Sequence, residues 1–324
     1  MPPIPPPRAR AAEEFGPLGD DAGDGGMSGK AVVPLRRLER QLFGAWCQWL
    51  CYPARSARNE AENRRKFEQT VAIVEEQLGR GGGPYFLGQL FGTADVIFTP
   101  YIERMAASLF YYKGYDIKAA NPNVAAWFAA METRDTYRGT QSDYHTHAHD
   151  LPPQMGGCYT NGSPEAQAAA AQVDEGSSGV PDAGHAEPET ATQEALLRVL
   201  RHRETIVEIN GDKDLVRFDE ALRCALTLLA TGKACAPPKG SDVGLRYLRD
   251  RTNVPRDMSL FAARHLRASL EATAAMDGDG QPRPLPTKNR RDQSLTPFRE
   301  ARAAREAREA SEGKSEGKAG EHKM

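Results

Sequence analysis

No apolar run in this chain approaches the roughly 18–20 residues that a membrane-spanning helix needs, so a soluble protein with no membrane partner is expected. Alternating strand patterns are as scarce, which excludes a sheet-based fold. An excess of charge of one sign is missing too. The 42 Lys and Arg residues against 44 Asp and Glu leave a formal net charge of −2, which predicts no general attraction to nucleic acid. Cysteine is sparse and odd in number: five thiols in 324 residues make no disulfide framework, and reduced thiols in a cytosol-like compartment are expected. The first 30 or so residues have neither the apolar core of a secretory signal nor the acid-poor, Ser-rich character of a transit peptide.

What is present is helical periodicity, in two blocks. In the first, Leu35, Leu38, Leu42, Trp46 and Trp49 repeat on one helical face until Pro53, and Phe67, Val71, Val74 and Leu78 do so until the glycines at 79 and 81–83. A third helix opens near Gly92, with Asp95 three residues on and able to reach back to the free amides of the first turn. Such a cap contributes about 1–2 kcal/mol. Pro100 falls inside this helix. Asn121-Pro122 reads as an N-cap and first-turn proline for another, whose core face is Val124, Trp127, Phe128 and Met131. The second block carries stripes at Leu196, Val199, Leu200 and Val207, at Phe218, Leu222 and Leu226, and at Leu266 and Leu270. The fold class is all-α. The expected organisation is a disordered segment 1–33, a helical domain 34–159, a linker 160–192 rich in Ala, Gly, Ser and acids, a helical extension 193–275 packed on the domain, and a disordered charged tail 276–324.

Two constellations carry chemistry. His145, His147 and His149, followed by Asp150, form an H-x-H-x-H run which, read as an extended loop, places alternate imidazoles on one face. Imidazole is a common zinc or copper ligand, and Cys158 lies close enough in sequence to join. The same run is equally consistent with a cleft edge or with a polar loop packed over helix ends. Cys47 and Cys51 share one helical face, as redox partners or as packing; an i,i+4 pair is poorly placed for a mutual disulfide. Arg36, Arg37 and Arg40 read as a solvated helix face.

The wording around Asp95, Pro84-Tyr85-Phe86-Leu87-Gly88 and then Phe91-Gly92-Thr93-Ala94-Asp95 with Pro100, Glu103 and Arg104, resembles the C-terminal helical domain of the glutathione transferase superfamily, in its omega- and lambda-like branches. Phe43-Gly44-Ala45-Trp46-Cys47, the segment from Tyr137 to Tyr159, and Leu245 to Asp250 are similar to a plant and cyanobacterial group of transferase-like proteins. The family has Ser or Thr where Gly92 stands. The resemblance implies a glutathione-dependent transferase or thiol reductase whose acceptor pocket lies between a thioredoxin-like half and the first and third helices. It makes Trp46, Tyr52, Tyr101, Arg104, Ser108 and Tyr111 candidates for lining that pocket, and Gly92 and Asp95 a structural cap rather than catalytic groups. Arg104 would meet an anionic ligand or pair with Glu103 or Asp143. Glutathione and the group that activates its thiol belong to the thioredoxin-like half, which residues 1–34 are too short to form. The chain alone is therefore expected to be catalytically inactive, with a thioredoxin-like domain or a second copy as partner, in the cytoplasm or alternatively the chloroplast. The other readings are a non-catalytic helical adaptor and a metal- or small-ligand-binding module built on the His-rich segment.

Overall fold

The computed structural model describes residues 29–174, 179–210 and 214–277. Of the segments expected to be disordered, 1–33 and 276–324, residues 1–28 and 278–324 lie outside the described residues, while Val32 already starts a helix and Asp277 is buried. Among the described residues there are thirteen helices and no strand beyond an isolated bridge between Tyr85 and Gly88. None of these helices is long and apolar enough to cross a membrane.

Helix α1 (Val32–Leu50) buries Leu35, Leu38, Leu42, Trp46 and Trp49 along one side. Helix α2 (Ala57–Arg80) starts at Ser56, whose hydroxyl accepts from the Asn59 amide, and buries Phe67, Val71, Val74 and Leu78. These stripes face each other, and α1 also packs on helix α3 (Thr93–Lys113), which is buried on nearly all sides and runs on through Pro100. Gly114 ends α3 in the left-handed conformation (φ 63°). A Cβ there would stand 2.7 Å from the Ala166 amide nitrogen, so the position requires glycine on two grounds. Helix α4 is one turn (Ile117–Ala120), followed by α5 (Pro122–Glu132) and α6 (Asp135–Arg138).

The cap of α5 differs from the sequence expectation. Asn121 turns its side-chain amide to the Ile117 carbonyl, and the Glu75 carboxylate of α2 accepts from the Asn123 and Val124 amides at 2.7 and 2.9 Å. A full carboxylate facing the positive end of a helix replaces the local cap.

The His-rich run is a helix too, not an extended loop: α7 (Tyr144–Met155), capped by Asp143, which accepts from the Thr146 amide at 3.0 Å. Pro152 removes the bond to the Ala148 carbonyl, and the Tyr112 hydroxyl of α3 donates to that carbonyl at 2.9 Å. The stretch 160–192, expected to be a linker, contains α8 (Pro164–Asp174), packed on α3 through Ala166, Ala169 and Val173. Small side chains that look featureless in sequence here permit close approach of two helices.

The second block is α9 (Ala191–Arg201), α10 (Arg203–Asn210), α11 (Leu215–Thr231), α12 (Asp242–Arg251) and α13 (Leu260–Ala274). Helix α13 lies at its centre, against α9, α11 and α12. On α9 the buried stripe is Ala191, Ala195 and Val199, while Leu200 is exposed. The core face is thus rotated toward the smaller residues.

Asp95 holds more than a helix end. Its carboxylate accepts from the Gly92 amide (2.9 Å), the Phe86 amide (3.2 Å) and the Trp127 indole N–H (2.8 Å). Burial pushes this carboxyl above the usual range, and the three donors oppose that shift. Removal would orphan three buried donors on the entry loop, α3 and α5. Asp95→Ala is therefore expected to lose about 2–4 kcal/mol, more than an isolated cap. Urea unfolding that showed a loss below ~1 kcal/mol would contradict this assignment.

Candidate functional site

The chemically loaded region is where α3, α7 and the loop after α12 meet. As a helix, α7 sorts its histidines differently from an extended chain. His145 and His149, one turn apart, face the second block and α8, while His147 looks toward α3.

On the His147 side lies a cavity of about 500 Å³, with apolar walls from Phe91, Val96, Pro100, Met131 and Leu151. Glu103 sits in its floor, accepting from the Ser142 amide at 2.7 Å, with His147 Nε2 at 3.8 Å. The Tyr137 hydroxyl and His147 Nε2 are buried in the wall without a hydrogen-bond partner. Burial pushes the Tyr137 hydroxyl well above its ordinary pKa, so it is a neutral donor. Arg104 donates only to the Pro100 carbonyl, at 2.6 Å, and Arg134 lies over the Phe91 ring at 3.9 Å. Neither guanidinium has a carboxylate within salt-bridge distance among the described residues, whereas the third at the rim, Arg256, is paired with Asp257. Val96 and Pro100 also line a second hollow of about 730 Å³ between α1 and α3, where Arg36, Arg37, Arg40 and Tyr101 stand. Arg36, Arg37 and Arg40 are exposed, and Arg40 in addition packs over the Phe43 and Tyr101 rings at 4.8 Å each and pairs with Glu39.

The six residues put forward for the pocket are therefore dispersed. Arg104 lines the cavity and Tyr101 the α1–α3 hollow. Trp46 and Ser108 are fully buried and bonded to one another, indole N–H to hydroxyl at 3.0 Å, so they form a core contact. Tyr52 is on the surface, and Tyr111 donates to Asp174 of α8 at 2.9 Å. Arg104 does not pair with Asp143, because Asp143 is taken by Arg267.

Cys158 does not join the histidines. The Tyr159 amide bonds the Leu50 carbonyl at 2.9 Å and brings Cys158 to Cys51 at the end of α1. A hydrogen bond to Cys158 and burial push the Cys51 thiol up to about 12, and a bond to Cys51 with burial pushes Cys47 higher still. These are thiols near neutral pH, not nucleophilic thiolates.

On the other side of α7 runs a polar seam. Arg267 of α13 pairs with Asp143 and donates to Thr146 at 3.2 Å, and both charged side chains are almost fully buried. Thr146 accepts from the Val254 amide (3.0 Å), and Asn253 donates to Asp150 (2.8 Å). Burial works against ionisation of Asp143, yet the Arg267 charge holds its carboxyl well below the usual range. Farther along, His145 stands 3.7 Å from Asp250, which Arg249 bonds at 2.8 Å, and His149 Nε2 is 2.7 Å from Asp174. Burial pushes the His145 imidazole down to about 3, with the Arg267 charge adding to the shift, so the ring is neutral. Asp174, Asp250, Arg134 and Tyr137 are not among the site candidates expected from sequence; Tyr137 and Asp250 enter there only as parts of the resembling segments.

Residues 41–140 match the family described as glutathione S-transferase, C-terminal domain. The glutathione S-transferase-like protein OpS6 of Beauveria bassiana is 29% identical over 69 residues, 21% of this chain and 30% of that protein. Glutathione S-transferase L3 of Arabidopsis thaliana is 38% identical over 61 residues, 19% of this chain and 26% of that protein. The alignments thus span less than a third of either relative. No solved structure matches significantly. The chain carries an all-α domain of the C-terminal type of the glutathione S-transferase superfamily.

Breaking the seam tests its weight. Asp143→Ala leaves a buried guanidinium without its partner and is expected to lose about 3–5 kcal/mol. Pairing it with Arg267→Met should restore much of that loss. Chemical denaturation of the single and double variants reads both values, and a double variant no more stable than the single one would refute the pairing.

Proposed function

We propose that this chain supplies the acceptor-binding half of a glutathione-dependent transferase or thiol reductase, and that its acceptor is an anionic compound with an apolar or aromatic body. The observation that carries the reading is the α3–α7 cavity, where apolar walls surround the Arg104 and Arg134 guanidiniums and the unpartnered Tyr137 hydroxyl. Guanidiniums only donate and the Tyr137 hydroxyl has a proton to give, so an anion satisfies several of these groups at once. Membership of the helical domain in the transferase superfamily supports the reaction class.

Glutathione makes demands that the resemblance assigns to a thioredoxin-like half. Binding its thiol as thiolate calls for a donor at the sulfur and amides along the tripeptide, and here the cysteines near α1 are held as thiols and the only β pairing is one isolated bridge. We therefore assign glutathione to a thioredoxin-like half, and place that half on the hollow between α1 and α3, which shares Val96 and Pro100 with the acceptor cavity. A reducing compartment, cytoplasm or plastid, suits the five free cysteines.

The test is equilibrium binding of an anionic aromatic probe, anilinonaphthalene sulfonate, followed by fluorescence. Replacing Arg104 and Arg134 together by Ala should weaken binding about tenfold or more, since each removes a charge-assisted contact. Unchanged affinity would reject the cavity as the acceptor site. In parallel, the Cys47→Ser/Cys51→Ser variant should show no glutathione conjugation above background. Turnover there would place a glutathione site within this chain.

A further inference from the structure

The two histidines that turn away from the acceptor cavity have no part in the proposed function, and their surroundings point elsewhere. His145 and His149 lie one turn apart on α7, with ring centroids 4.4 Å apart. Asp174, the last residue of α8, meets them so that one donor atom from each of the three lies within 4.8 Å of the others. His145 is buried, and neither of its ring nitrogens has a hydrogen-bond partner. The closest carboxylate, Asp250, stands 3.7 Å away, too far for a hydrogen bond. A buried imidazole without partners is costly unless something else occupies its lone pair.

We infer that His145, His149 and Asp174 form a binding site for a divalent transition-metal ion of the zinc type. The donor set suits such an ion: two imidazoles and a carboxylate, with bonds of about 2.0–2.2 Å. Tetrahedral bonds of that length separate ligand atoms by roughly 3.3–3.5 Å. His149 and Asp174, now 2.7 Å apart, need only spread slightly to admit the ion. The outer contacts orient the ligands as metal sites require. The Tyr111 hydroxyl holds the second oxygen of Asp174 at 2.9 Å, and Arg249 holds Asp250, the carboxylate next to His145, at 2.8 Å. Asp174 is the carboxylate at this spot with no guanidinium within salt-bridge distance among the described residues, whereas Asp143 and Asp250 are paired with Arg267 and Arg249. His147 and Cys158, on other faces, are not ligands.

The experiment uses the full chain, stripped with chelator and then titrated with Zn²⁺ against a chromophoric competitor. One ion per chain is expected. His145→Ala and Asp174→Asn should each weaken binding by ~100-fold or more, and Tyr111→Phe by about tenfold, the scale of an outer-shell loss. Cys158→Ser and His147→Ala should bind as the parent does. Should the ligand variants fail to fold, Co²⁺ substitution of the parent decides. A four-coordinate visible spectrum without thiolate charge transfer supports the site, whereas a six-coordinate or thiolate-type spectrum overturns it. No zinc uptake by the parent, or uptake that survives loss of His145, also overturns it. None of these outcomes depends on the acceptor cavity, so the two proposals stand or fall apart.

Discussion

The buried pair between Asp143 and Arg267 is the contact on which the rest of the arrangement depends. It joins the capping residue of the His-rich helix to the central helix of the second block, across 124 residues of sequence. Each block has its own apolar core, one gathered around α3 and one around α13. What unites them at α7 is largely polar: Thr146 to Val254, Asn253 to Asp150, Ser142 to the Val254 carbonyl, and Arg264 to Asp182. An apolar interface would tolerate sliding. A seam of hydrogen-bonded charges does not, because any shift strands a buried charge.

That rigidity places both candidate sites. The 253–256 loop, pinned to α7, forms one wall of the acceptor cavity, so the cavity exists only where the extension docks on the transferase-type domain. The same docking brings Asp250 and Arg249 beside His145. The two faces of one short helix thus serve different chemistry. One, with His147, opens on the cavity with its unpaired donors, and the other, with His145 and His149, is closed in by α8 and α12.

Helix α3 is the second organising element. Its start is tied down by Asp95, which connects the entry loop and the Trp127 indole of α5. Its first two turns present Val96 and Pro100 to both hollows, and its end presents Tyr111 and Tyr112 to α8 and α7. Trp46 and Ser108 show why pocket assignments by helix number alone miscarry. Both lie on the expected helices, but the indole and the hydroxyl satisfy one another in the core.

The sequence by itself determined the helices with long apolar stripes, the capping role of Asp95, and the all-α class, because spacing of 3.6 residues and local capping chemistry are written in neighbouring residues. It also carried the superfamily, through wording spread over residues 41–140. Only the tertiary structure decided the rest. The alternating histidines hide a stripe at helical spacing, Tyr144, Ala148, Leu151 and Met155, which packs into the first core only once the run is helical; the Asp143 cap and the Tyr112 hydroxyl that takes the carbonyl freed by Pro152 complete that helix. Alanines 166 and 169 resemble a linker until α3 lies against them. Asp174, Asp250 and Arg267 reach the histidines from 25 to 122 residues away, and charge partners at such separations leave no periodic trace. Burial, not sequence distance, selects which carboxylate meets which imidazole, since a charge inside the seam persists only where a partner is already in place.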